Sequence, residues 1–161
     1  MQRRRFLGAA GTLLLPAGFA GPMLSACSRD AGWPPGMSPI MWDRDTCVRC
    51  RMVISDRRFA AELRGGPDDT AFRFDDIGCA VIWLRDQRKA YPWLADASVR
   101  FWVADIATTG GQVNWLDAWR ARYLTGRTSP MGYGMAATAA AEQAGSLDFA
   151  AMQAFVLAKG K

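Results

Sequence analysis

The pattern of apolar and polar positions divides the chain into short elements separated by strong turn signals. Residues 52–54 (Met-Val-Ile) and 59–63 (Phe-Ala-Ala-Glu-Leu) read as short strands around the polar turn Ser55-Asp56-Arg57-Arg58, and Gly65-Gly66-Pro67-Asp68-Asp69 is a turn that returns the chain as a third strand over 70–74. Ile77, Val81 and Leu84 recur at helical spacing behind two acidic residues, which predicts a helix from about Asp76 to about Lys89. Residues 99–105 alternate and run into Thr108-Thr109-Gly110-Gly111, which is a strand and its turn. From 113 to 124 the pattern is mixed, with Trp115, Leu116, Trp119 and Tyr123 fitting either a short helix or a bent strand. A glycine-rich turn at 129–135 precedes a short strand over 135–138, and Ser146 is expected to cap a final helix with Leu147, Phe149, Met152, Phe155 and Val156 on its apolar face. Strands, a helix, more strands and another helix give an α+β fold class.

The first 26 residues stand apart from this pattern. Arg3-Arg4-Arg5 begins a basic segment, and the apolar run over 6–26 is broken by Gly8, Gly11, Pro16, Gly18, Gly21 and Pro22, so it reads as a signal peptide and not a spanning helix. Arg3-Arg4-x-Phe6-Leu7 has the form of a twin-arginine signal, the route for proteins exported already folded. Leu24-Ser25-Ala26-Cys27 has the form of a lipobox, which makes Cys27 the lipidated first residue of the mature chain; Ser28 after it favours the periplasmic side of the outer membrane. Residues 27–45, with Pro34, Pro35, Gly36 and Pro39, are then a lipid anchor and tether whose apolar end, Trp33, Ile40, Met41 and Trp42, is expected to dock on the domain that follows.

Removing the signal changes the charge and the cysteine count. The 161-residue chain is formally +5, but three of its 20 basic residues leave with the signal, and 17 against 15 acidic residues is +2. A near-balanced chain has no basic footprint for phosphates, so nucleic-acid binding is excluded. Half of the residues are hydrophobic, enough for a real core. With Cys27 carrying lipid, three thiols remain, Cys47, Cys50 and Cys79, and the chain has no histidine. The common four-thiolate or two-thiolate, two-imidazole zinc sites cannot be assembled from these, and zinc would need a carboxylate such as Asp75 or Asp76.

The candidate chemistry lies in Cys47-Val48-Arg49-Cys50-Arg51-Met52, two thiols and a thioether in six residues. Thiolates and thioethers favour soft metals, and the thioether in particular favours Cu(I). Arg49 and Arg51 flank Cys50 and would raise its thiolate fraction if they lie close to the sulfur. Alternative readings are a Cys47–Cys50 disulfide that leaves Cys79 odd, a thiol-disulfide oxidoreductase using the same pair, and a scaffolding lipoprotein. Asp75 and Asp76 fit a helix N-terminus or a partner-docking pair, and Cys79 fits a small apolar core position.

Three islands, Cys47-x-x-Cys50-x-Met52, Phe74-Asp75-Asp76-Ile77-Gly78-Cys79 and Pro130-Met131-Gly132-Tyr133-Gly134, together with Trp115-Leu116-Asp117-Ala118 and the lipoprotein signal, resemble the NosL family of periplasmic copper chaperones for nitrous-oxide reductase. The resemblance implies two small ββαβ-like units, about 46–105 and 106–161, within one copper-binding region over 46–161. It implies a non-enzymatic carrier of Cu(I), monomeric or weakly dimeric, whose partners are the nitrous-oxide reductase apoprotein or its ABC-type maturation complex, with the membrane reached through Cys27. The family's Cys-Gly-Met element falls on Cys50-Arg51-Met52 and its Pro-Met-Gly element on Pro130-Met131-Gly132. Cys50 and Met131 are thereby the first expected copper ligands, with Met52 and Cys47 behind them. Arg51 stands where the family has glycine, at a position where glycine would give easy access to positive φ.

Overall fold

The computed structural model describes residues 32–140 and 144–160. The expected signal peptide, Cys27 and the start of the expected tether lie outside the described residues. Four strands, β1 (Ala61–Gly65), β2 (Thr70–Phe74), β3 (Arg100–Ala104) and β4 (Trp115–Asp117), form an antiparallel sheet in the order β2-β1-β3-β4. A second, two-stranded sheet pairs β5 (Arg122–Leu124) with β6 (Ala136–Thr138). Two helices, α1 (Ile77–Asp86) and α2 (Phe149–Ala158), pack on one another, with α1 also against β1 and β2. The protein is thus α+β, with short antiparallel strands and two principal helices. Among the described residues no helix is long and apolar enough to cross a membrane.

The register shows why both faces of the main sheet are covered. Ala61 pairs with Phe74 and Val103, and Leu63 with Phe72 and Phe101, so these side chains share one face by the two-residue period of a strand. They join α1, buried from Ile77 to Leu84, in the main core. The opposite face carries Glu62, Trp102 and Trp115, and parts of the chain ahead of β1, around residues 33–42 and 54–60, lie over it. Met37, Ile40, Ile54 and Ala60 form a second small core there, edged by Trp33, Trp42, Trp102 and Trp115. Each of the large apolar side chains in that layer contributes about 1.5–3 kcal/mol by leaving water. The layer also explains a fully buried acid on β1. Glu62 accepts the Ser38 N–H at 2.8 Å and faces Arg73 at 3.4 Å, and its carboxyl is nonetheless held above the ordinary range by burial.

The structure departs from the periodicity at four places. Residues 52–54 do not form a strand, because their pairing amounts to one isolated bridge, Val53 with Thr46; β1 starts at Ala61, two residues later than expected. The mixed stretch at 113–124 is neither one helix nor one bent strand: β4 and β5 are three residues each, and Ala118 sits between them, its N–H given to Phe101 O. The cap of α2 is Asp148, whose carboxylate accepts the Ala151 N–H at 2.8 Å; Ser146 is instead engaged by Arg122. An acid at that place satisfies an orphan donor and meets the positive end of the helix dipole, where a serine two residues earlier cannot reach.

Candidate metal centre

The cysteine segment is the tip of a short ladder. Asp43 N–H bonds to Ile54 O, Ile54 N–H to Asp45 O, Thr46 bridges Val53, and Cys47 N–H bonds to Met52 O at 2.8 Å. Arg51 N–H closes the tip on Cys47 O at 3.0 Å, and Val48 N–H ties it to Arg73 O of β2. This closure forces Arg51 to φ +66°. A side chain there costs about 1–2 kcal/mol relative to the right-handed region.

The other half of the centre comes from the corner between β2 and α1. The strand ends at Phe74, Asp75 follows, and Asp76 caps the helix by accepting the Gly78 N–H at 2.7 Å. Cys79, four residues after Asp75 and on the first turn of α1, points the same way. The Sγ atoms of Cys47, Cys50 and Cys79 and a carboxylate oxygen of Asp75 all lie within 4.8 Å of one another. Cys47 and Cys79 are fully buried, while Cys50 is half-buried at the rim. The three thiols are free, so Cys47 and Cys50 do not form a disulfide here.

Electrostatics within the cluster place the thiolate on Cys47. The hydrogen bond from Cys79, reinforced by others from Cys50 and the backbone, holds the Cys47 thiol down at about 4 against its burial. The same bond, together with burial, pushes the Cys79 thiol far up. Burial first, and then the bonds to Cys47 and Asp75, push the Cys50 thiol up to about 12; it donates to Asp75 Oδ1 at 3.2 Å. Burial raises the Asp75 carboxyl to about 6, aided by its contact with Cys47. Arg49 sits over the group, with Nη1 at 3.9 Å from Cys79 Sγ and 2.8 Å from Tyr133 Oη.

Asp76 fastens the glycine-rich loop to this corner. Its Oδ2 accepts Ser129 Oγ–H at 2.6 Å and Met131 N–H at 3.0 Å, and it is fully buried. Burial raises its carboxyl against these donors. Met131 is half-buried against the main core. Met52 is 56% exposed, and its backbone oxygen, not its side chain, takes part in the ladder. The structure therefore gathers Cys47 and Cys50 with Asp75, keeps Met131 on the loop bound to Asp76, and leaves Met52 facing solvent. Cys79, read from its apolar neighbours as a core filler, is a member of the cluster. No periodicity marks it, since Asp75 lies ahead of the extended N-cap Asp76, and Asp75 and Cys79 do not share a helix face.

A small α+β protein with three free thiols and a carboxylate converging at one half-open point has the makings of a soft-metal-binding protein. The chain is similar in structure to the copper chaperone NosL from Shewanella denitrificans, a crystal structure with which it shares 18% identity over 78% of this chain and 89% of that one, at a TM-score of 0.44. The sequence matches no family model and no curated protein.

Proposed function

We propose that this protein is a Cu(I) carrier, taking up one ion at the Cys47/Cys50/Cys79 centre and yielding it to a client. The observation that carries the reading is the donor set: three thiols and one carboxylate within 4.8 Å, with a single donor, Cys50, at the rim. Thiolate sulfur prefers Cu(I) to hard cations, and there is no imidazole in the chain to favour another choice. Two buried thiolates retain the ion, and the half-exposed one can be displaced by an incoming soft ligand. The motif resemblance supports the remainder: Met131 as an additional ligand, an anchor at Cys27 on the periplasmic side of the outer membrane, and nitrous-oxide reductase or its ABC-type maturation complex as the destination.

A non-enzymatic role agrees with the accessibility of the thiols. The thiolate, on Cys47, is buried, whereas the reachable thiol, on Cys50, is held protonated. Disulfide exchange needs the opposite arrangement, a thiolate open to its substrate. One second reading has an observation of its own: Asp75 completes a Cys3Asp set, which suits four-coordinate Zn²⁺ held structurally.

Anaerobic titration of the reduced protein with Cu(I) against a chromophoric chelator tests the first reading. One copper per chain is expected, lost in Cys50→Ser and weakened in Met131→Leu, with the fold intact by circular dichroism. A folded, fully reduced protein that retains no copper overturns it. Retention of Zn²⁺ in preference to Cu(I), with loss of folding on chelation, would establish the structural reading.

A further inference from the structure

Arg51 has a backbone that the loop closure explains and a side chain that the fold does not. It holds a left-handed backbone conformation that glycine would take freely, yet it carries a long charged side chain. That side chain is exposed and makes no hydrogen bond or ion pair among the described residues. Strain of this kind persists where the surroundings impose it, and it concentrates at functional positions.

What surrounds Arg51 points to a use. Two hollows flank it, one of 330 Å³ shared with Val48, Arg49, Phe72, Trp83, Asp86, Gln87 and Tyr91, the other of 280 Å³ shared with Asp45, Val48, Phe72 and Arg73. The acids in both are already engaged, Asp45 with Arg73 at 3.1 Å and Asp86 with Arg85 at 2.7 Å. Arg49 is turned inward to Tyr133 and Cys79. Arg51 is thus the uncommitted cation common to both hollows, next in sequence to the half-buried Cys50. Directly after it, Met52 and Val53 are 56% and 45% exposed, an apolar margin beside the charge.

We infer that Arg51 and the two hollows form a docking face for a partner protein segment that bears carboxylates beside a soft metal donor. The inference deepens the carrier reading and rests on it for its purpose: a carboxylate paired with Arg51 would set the partner's donor against Cys50. A protein segment suits this face better than a lipid surface, because the exchangeable thiol lies next to the cation and an incoming donor must reach it.

The test uses the reduced, metal-free protein and a fluorescein-labelled synthetic peptide with one cysteine flanked by glutamates, beside a twin with lysines in their place. Anisotropy titrations at low salt should show tighter binding of the glutamate peptide, weakened about two- to fivefold in Arg51→Gly, as for one exposed ion pair, and kept in Arg51→Lys. Added salt should erase the preference, as screening requires. Equal binding of the two peptides, or a preference unchanged in Arg51→Glu, overturns the inference. So does Arg51-dependent sedimentation with phosphatidylglycerol vesicles in the absence of peptide preference, which would assign the face to lipid. Because no metal enters this assay, its failure is separate from failure of the copper titration. Arg51→Lys and Arg51→Gly should both retain copper within twofold of the parent protein.

Discussion

Gly78 is the point where the fold and the centre press hardest on each other. It lies in the first turn of α1, one residue before Cys79, with the ring of Tyr133 laid over it. A Cβ at position 78 would stand 2.2 Å from Tyr133 Cγ, 2.3 Å from Cδ2 and 2.6 Å from Cβ. The ring would have to retreat by roughly 1.2 Å, the gap between 2.2 Å and the 3.4 Å at which ordinary contact begins. It has little room to do so: Tyr133 is 1% exposed, its Oη is held by Arg49 at 2.8 Å, and its backbone oxygen by Lys159 at 2.7 Å. Overpacking of a tight core costs about 1–3 kcal/mol, and the upper end applies where both ends of the ring are fixed. Alanine returns about 1 kcal/mol through its better helix propensity. Gly78→Ala is therefore expected to lose about 2 kcal/mol, a fall of about 4–8 °C in Tm for a chain of this size. Urea unfolding of the reduced, metal-free protein measures it, with the cycle closed by Tyr133→Ala and the double variant. In the Tyr133→Ala background most of the clash is gone, and the added methyl should cost at least 1 kcal/mol less, as coupled neighbours do. A Gly78→Ala protein as stable as its parent would refute the reasoning, because the glycine-rich loop would then be able to leave the helix freely.

Other outcomes follow from the same geometry. Arg51→Gly should stabilise the metal-free protein by about 0.5–1 kcal/mol, the relief of a left-handed side chain less the entropy that glycine brings; unchanged urea midpoints would show that the loop carries no strain. Asp76→Ala removes a helix cap and leaves the buried Ser129 hydroxyl and Met131 N–H without their acceptor, so a loss of about 2–4 kcal/mol is expected by the same assay. Near neutral pH, Cys47 is already a thiolate while Cys50, near 12, and Cys79 are protonated. Binding through all three sulfurs then releases two protons, and affinity should rise about a hundredfold per pH unit as pH increases, since protons and metal compete. Potentiometry counts the protons directly; release of a single proton, or a tenfold slope, would reveal instead that only one of the two protonated thiols joins Cys47.

The sequence made the elements legible where a full period fits within them. β2, α1 and β3 each carry enough apolar repeats to declare their type, and the acid pair ahead of α1 marks its start. β4 and β5, at three residues each, are shorter than any period that would distinguish them, and each pairs with its neighbouring strand across a long loop, not through a tight hairpin turn. The second face of the sheet was legible in part: Trp33, Ile40 and Trp42 were expected to dock on the domain and do so, though the sequence did not show on which face. Glu62 and Trp102 look like solvent-side residues of alternating strands until the segment bearing Met37 and Ile40 is seen to lie over them. At the centre, the Cys47-x-x-Cys50 spacing was visible because it is local. Cys79 was not, since its apolar neighbours describe the core side of α1 and nothing nearby in sequence shows that the first turn faces a loop from thirty residues earlier.

The donor set is also divided between two pieces of the fold that are separate in the chain. Cys47 and Cys50 belong to the ladder from Asp43 to Ile54, whose far end rests on the small core around Ile40 and Ile54 while Cys47 at its tip is buried in the main core. Asp75 and Cys79 belong to the strand-helix corner, which rests on the main core. The ladder is held by a few backbone bonds, by the Asp45–Arg73 pair and by the burial of Cys47 and Ile54, so an opening of it would withdraw those two side chains while leaving the sheet paired. Each opening would part the four donors two from two. An ion bound across that seam would work as a staple, slowing hydrogen exchange in the ladder, while an opening of the ladder would loosen the ion's hold by two ligands at a stroke. Retention and release would then be governed by how often the seam parts as much as by the bonds to sulfur.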